Sequence, residues 1–203
     1  FCGCGTGFSV QKHHIAKLPN LIKEKTGQKK YLIEDSIEGW SDAVGVLVSS
    51  YFKGCNLFPE YNGKNVVFDY SKIRPAGSYL KSSGGKAPGP EPLKNALTHI
   101  KKTLDLAVKN GQKKITPIQA YDIVMYSADA VIRGGVRRSA TICVFSADDE
   151  EMAKAKTGSW FTDNPQRGRS NNSALLLRGE TTKEQFSKLM ESVKEFGEPG
   201  FVW

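Results

Sequence analysis

The sequence predicts an α/β fold. Short β-rich runs alternate with amphipathic helical stretches at the spacing of α/β units. Most of the helical stretches carry recognisable capping residues at their ends. The composition agrees: 203 residues, 39% hydrophobic and 25% charged, suffice for an ordinary domain with a real core and are too apolar for disorder.

The elements follow in order. Residues 5–10, Gly-Thr-Gly-Phe-Ser-Val, read as a glycine-rich turn entering a strand. Residues 11–29 are polar and broken by Pro19 and Gly27, so a loop with a short helical turn is expected. Lys30 to Glu34 forms a short strand around Tyr-Leu-Ile. A helix then starts on Asp35 or Ser36 as N-cap, with Glu38 three residues after Asp35 in a variant of the capping box. Ile37, Trp40, Val44, Leu47, Val48 and Tyr51 fall on one face of it, and Gly54 ends it. Residues 65–70 are a strand. Residues 71–92 hold four prolines in a structured or functional loop. Leu93, Leu97, Ile100, Leu104 and Val108 make a basic amphipathic helix over 92–110, closed by Gly111. Thr116 caps the next helix, with Pro117 at its first position, running to about Ile132. Ser139 to Ser146 is a strand, Asp148 starts a short helix, 157–173 is a loop, Ala174 to Leu177 a strand and 182–196 a helix.

The net charge is +8, from 29 basic and 21 acidic residues, which favours an anionic partner. Doublets such as Lys101-Lys102 and Arg137-Arg138 read equally well as solvated faces. No apolar run approaches the roughly 18 residues of a membrane span. The four cysteines form no C-x-x-C pair and His13, His14 and His99 sit at unrelated positions, so no metal site is expected. Reduced thiols in the cytoplasm are the simplest reading. The chain opens on Phe-Cys-Gly-Cys and closes on Gly-Phe-Val-Trp, as if cut from inside a larger protein.

Four stretches could carry chemistry, each with a plain alternative. Residues 3–7 are a glycine-rich run without a dinucleotide or P-loop fingerprint, and read alone they are a tight turn. Residues 71–90 combine Arg74, Lys81 and Lys86 with Ser82, Ser83, Gly84 and Gly85, which suits a polyphosphate or a Pro-braced surface loop. Arg133, Gly134, Gly135, Val136, Arg137, Arg138 and Ser139 make a glycine-hinged basic loop or a basic turn. The run 164–173 offers Asn and Ser groups to a sugar, base or phosphate, or forms an Asx-rich turn. The histidines receive no catalytic role.

In order along the chain, Gly5-Thr-Gly-Phe-Ser9, Lys72-Ile-Arg-Pro-Ala-Gly77 with 84–90, Gly134-Gly-Val-Arg-Arg-Ser-Ala140 and Ser170-Asn-Asn-Ser173 resemble the adenosylcobalamin-dependent (class II) ribonucleotide reductases. The resemblance implies part of a ten-stranded α/β barrel with an inserted helical/α+β segment. Residues 1–10 and 69–203 would belong to the barrel and 11–68 to the insertion. About sixty residues separate two stretches that adjoin in many class II members, which resembles the monomeric ribonucleoside-triphosphate reductase branch. There an inserted segment imitates a second subunit and completes the effector site.

By position, the resemblance gives Asp35, Ser36, Arg74 and Lys81 to a deoxynucleoside triphosphate effector. It gives residues 133–139 to the specificity loop, and Ser170, Asn171, Asn172 and Ser173 to the ribonucleoside triphosphate substrate. The family uses adenosylcobalamin, a thiyl radical and a thioredoxin-like reductant. The family's Asn-Pro-Cys-x-Glu radical motif does not occur in this sequence, so no catalytic residue is assigned and the piece alone is expected to be inactive. Cys143, inside an apolar strand, reads as a small buried hydrophobe. Two other readings stay open: a basic nucleic-acid-binding module, and a structural domain docking through the Trp40 face.

Overall fold

The computed structural model describes residues 4–80, 85–132 and 140–203. The elements are β1 (Gly5–Ser9), α1 (Lys12–Ile15), β2 (Gln28–Leu32), α2 (Ile37–Ser49), β3 (Asn65–Asp69) and α3 (Glu91–Lys109). Then come α4 (Pro117–Ile132), β4 (Ala140–Ser146), α5 (Glu150–Ala153), α6 (Trp160–Asp163), β5 (Ser170–Leu175), α7 (Lys183–Phe196) and β6 (Gly200–Val202). They divide into two compact units. One holds Leu18–Ile115 and the later part of α4. The other holds Gly5–Lys17, Thr116–Met125 and Ala140–Trp203.

In the first unit β2 and β3 form a parallel pair, Gln28 opposite Asn65 and Leu32 opposite Asp69. Helix α2 connects them and packs on α3. Ser36 is the N-cap of α2: its hydroxyl accepts from the Gly39 amide at 2.9 Å, a contact worth about 1 kcal/mol. Asp35 does not cap and there is no Asp35–Glu38 box. The buried positions of α2 are Gly39, Ala43, Val46, Leu47 and Ser49, while Ile37 is 40% exposed and Trp40 half-buried. The inward face is therefore rotated from the expected one. The cause is close packing: a Cβ on Gly39 would lie 2.4 Å from the Glu34 carbonyl oxygen, and one on Gly45 2.8 Å from the Phe58 ring. Small residues admit these neighbours, and bulkier ones turn aside.

Helix α3 buries Leu93, Leu97, Ile100 and Leu104 as its periodicity predicts. Tyr51, fully buried, donates its hydroxyl to Asp105 on α3 at 2.5 Å, and the Lys25 ammonium lies 3.0 Å over its ring. The loop after β3 is ordered where described. The Gly77 amide donates to Ala87, Ala87 to Ser78 and Leu80 to Gly85. Gly89, at φ +71°, lets the return strand of this loop press against Ala76.

The second unit is a four-stranded parallel sheet in the order β1-β4-β5-β6. Its residues alternate in burial as the pleat requires. Thr141, Cys143 and Phe145 of β4 and Ser170, Asn172 and Ala174 of β5 are buried, against Tyr121 of α4 among others. Strand β5 begins four residues earlier than its apolar run predicts, and β6 has no sequence signal. The expected loop before β5 contains α6 and a 3₁₀ turn, Pro165–Arg169. The short helix after β4 is capped by Asp149, not Asp148. Helix α7 carries a full capping box, Thr182 with Gln185, and ends on Gly197 at φ +73°. No described helix is long and apolar enough to cross a membrane.

Candidate functional site

Each unit contains one candidate site. In the first, the parallel β2–β3 pair brings both strand ends to one edge, because Leu32 and Asp69 are in register. The segments that follow, 33–36 and 70–74, therefore emerge side by side. Arg74 Nε donates to Asp35 Oδ2 at 2.5 Å, and Lys72 pairs with Glu34 at 2.5 Å. Lys30 pairs with Asp69 at 2.8 Å. Asp69 also accepts from the Ser71 amide, and the Lys30 and Ser71 bonds hold its carboxyl down at about 2. This carboxylate fixes the turn that launches Lys72 and Arg74.

Three of the residues singled out for an effector meet here. Asp35 and Arg74 form an ion pair, and Ser36 caps the adjoining helix. Lys81 lies outside the described residues, as does the whole 133–139 loop. Sequence reasoning missed Glu34, Lys72 and Asp69. The groups that could take a phosphate, Arg74 and Lys72, already hold carboxylates, and their side chains remain 39% and 48% exposed. Groups this exposed would meet an anion at little desolvation cost.

The second site is the outward face of the sheet. Pleat and register align Gly7, Ile142 and Asn171 in one row, and Ser9, Val144, Ser173 and Gly200 in the next. A Cβ on Gly5 or Gly7 would meet nothing within 4 Å, and Ile142 is 50% exposed. The face is thus open, with glycines at β1, Ile142 and Val144 at β4, and one amide and two hydroxyls from Asn171, Ser173 and Ser9. Of the four residues assigned to a substrate, Asn171 and Ser173 lie on it. Ser170 and Asn172 lie on the opposite, buried face.

That buried face mixes the apolar Cys143, Phe145 and Ala174 with polar groups that are hydrogen-bonded. The Ser170 hydroxyl lies 3.0 Å from the Tyr121 hydroxyl and 2.8 Å from Asn172 Oδ1. Tyr121 donates to the Arg167 carbonyl. Burial pushes the Tyr121 phenol well up, so it stays protonated. Arg167 makes two bonds to Asp122, at 2.9 and 2.8 Å. Lys156, 7% exposed, donates to the Ser170 carbonyl and pairs with Glu198 at 2.7 Å. Burial pushes the neighbouring Cys143 thiol up to about 12, so it is protonated at neutral pH and no nucleophile. Its role as a small buried group is borne out.

No group of three or more His, Cys, Asp or Glu among the described residues could hold a metal ion. His14 Nδ1 lies 2.8 Å from the Ser9 hydroxyl, and His99 stacks on Tyr126.

Comparison with known proteins gives the family of the chain. Residues 10–104 match the family model described as "B12-dependent ribonucleotide reductase, insertion domain". The adenosylcobalamin-dependent ribonucleoside-triphosphate reductase of Euglena gracilis is 35% identical over 86% of this chain and 22% of its own length. The enzyme of the same name from Lactobacillus leichmannii is 27% identical over 98% of this chain and 30% of its own. A crystal structure of a B12-dependent (class II) ribonucleotide reductase superposes with a TM-score of 0.78 at 25% identity, over 98% of this chain and 30% of that one. The chain thus spans between about a fifth and a third of the length of these relatives. The motifs singled out in the sequence, the parallel α/β architecture and these matches agree: the chain belongs to the adenosylcobalamin-dependent, class II ribonucleotide reductases.

Proposed function

We propose that this chain is the nucleotide-recognising part of an adenosylcobalamin-dependent ribonucleoside-triphosphate reductase. The longer protein would convert ribonucleoside triphosphates to deoxyribonucleotides with a thiyl radical carried elsewhere and a thioredoxin-like reductant. The observation that carries the reading is the open sheet face, where glycines leave room and Asn171 and Ser173 point outward. The reductase relatives support it. Residues 1–10 and 69–203 are read as part of a ten-stranded barrel and 11–68 as the insertion. The protein is read as a monomer working in the cytoplasm, where thiols such as the unpaired Cys4, Cys55 and Cys143 stay reduced.

The effector site is the Asp35–Arg74 junction with Ser36 alongside; Lys81 and residues 133–139 are assigned to it by the resemblance alone. A deoxynucleoside triphosphate would replace the Asp35 carboxylate on Arg74 and free Asp35 to hydrogen-bond the deoxyribose, while the Ser36 hydroxyl, still accepting from Gly39, keeps its own proton to donate. Asn171 and Ser173 contact the substrate, and Ser170 and Asn172 support them from beneath. If the effector changes substrate affinity, reciprocity requires the substrate to change effector affinity by the same factor. In the longer protein the family's cofactor would supply the radical, and none of the described residues is assigned to hold it. No step is derived through it.

Calorimetric titration of the full-length protein tests the reading. Deoxynucleoside triphosphates are expected to bind, and Arg74→Ala to weaken them about tenfold, the loss of one charge-assisted contact. Binding of single-stranded DNA with a steep salt dependence, and none of deoxynucleotides, would instead establish the nucleic-acid-binding module.

A further inference from the structure

Along β5, even-numbered residues direct their backbone groups toward β6: the Leu176 amide donates to the Val202 carbonyl. Strand β6, however, begins at Gly200 opposite Ser173. At the entry of β5, residues 170–172, no described strand lies on that side. Two side chains take its place. Lys156 Nζ donates to the Ser170 carbonyl, and Glu198 Oε2 accepts from the Asn172 amide at 3.4 Å. The two are joined to each other, Lys156 Nζ to Glu198 Oε1 at 2.7 Å. One donor and one acceptor thus reproduce what a neighbouring strand would offer. Their charges cancel where Lys156 is almost wholly buried.

This is an expensive way to cap a sheet. A buried pair seldom adds net stability over apolar packing, so its presence calls for another explanation. Ser170 and Asn172 alternate with Asn171 and Ser173. Pinning the backbone of the even residues therefore fixes the direction of the odd ones.

We propose that Lys156 and Glu198 are positioning residues that stand in for a missing strand and hold Asn171 and Ser173 in the pose that meets a nucleotide. The proposal rests on the assignment of the open face to substrate. The pair touches no substrate itself. Its loss should loosen recognition more than chemistry, because a displacement of about 1 Å in a positioned group can cost as much as 100-fold.

The test uses the full-length protein with Glu198→Ala, Glu198→Gln and Lys156→Met, and Lys188→Ala on the exposed side of α7 as control. Glu198→Ala should raise the ribonucleotide KM about tenfold with kcat within about twofold. Hydrogen exchange of the Asn172 amide should quicken about tenfold while the amides of α3 keep their protection. Glu198→Gln restores an acceptor and should recover part of both effects. Lys156→Met, which keeps the apolar stem, provides the same KM test should Glu198→Ala fold poorly. Unchanged exchange at Asn172 overturns the clamp. Faster exchange with an unchanged KM overturns its link to substrate. A wild-type protein that reduces no ribonucleotide contradicts the assigned function instead, and the exchange measurement still decides the clamp.

Discussion

In the unit built on α2 and α3, the ion pairs at the candidate site stand in solvent: Arg74–Asp35 and Lys72–Glu34 are between 28% and 59% exposed. In the sheet unit the comparable pairs are less exposed: Arg167–Asp122 at 14% and 13%, and Lys156–Glu198 at 7% and 24%. The same residue types therefore do different work. The exposed pairs contribute little to stability and exchange readily for a ligand. The buried pairs are costly to break and hold a surface in place. On the proposed reading, recognition by exchangeable charge belongs to one unit and recognition by a rigid face to the other.

Mutations can break or sharpen that contrast. Asp122→Ala should be the most damaging, since it strands the Arg167 guanidinium in the interior; a loss of about 3–5 kcal/mol is expected in urea unfolding. A loss below about 1 kcal/mol would put this pair with the exposed ones. Gly39→Ala drives a methyl into the Glu34 carbonyl. It should cost about 1–3 kcal/mol and, by moving Asp35, weaken deoxynucleotide binding in calorimetry. Tyr121→Phe removes the hydroxyl that reaches Arg167 and Ser170, for a loss of about 1–2 kcal/mol. Arg74→Ala should leave the unfolding midpoint within about 0.5 kcal/mol of wild type while impairing nucleotide binding.

A further effect, read along the pH axis, is a pH dependence of stability. Burial lowers the Lys25 ammonium to about 7, against the pull of Asp105. Below pH 7 Lys25 is charged in both states, and the folded protein bears the full burden of desolvating it. Between 7 and the ordinary value of 10.5 only the unfolded chain holds the proton, so this group makes stability rise with pH. Lys25→Met should flatten the rise measured by urea unfolding across that window.

The helices were legible in the sequence because their apolar spacing and caps are local signals. The rotated face of α2 was not: apolar bulk points to Trp40, whereas Gly39 and Gly45 decide the contact by what they let in. The entry of β5 was missed because Ser170-Asn-Asn-Ser173 carries no apolar alternation. Its buried polar groups are satisfied by Tyr121, Lys156 and Glu198, all distant in sequence. Asp35 and Arg74 were each singled out, yet their pairing across 39 residues depends on the parallel register of β2 and β3. Lys81 and the 133–139 loop, read as parts of the same site, lie outside the described residues.

The central claim is that the two units recognise two nucleotides for one reaction. The most direct measurement is reduction of ribonucleoside triphosphates by the full-length protein with adenosylcobalamin and a dithiol, compared with Asn171→Ala and Arg74→Ala. The account predicts cobalamin-dependent formation of deoxyribonucleotide, a raised substrate KM in Asn171→Ala, and a weakened response to added deoxynucleoside triphosphate in Arg74→Ala. Absence of deoxyribonucleotide from the wild-type protein, or equal effects of both substitutions on substrate and effector, would contradict it.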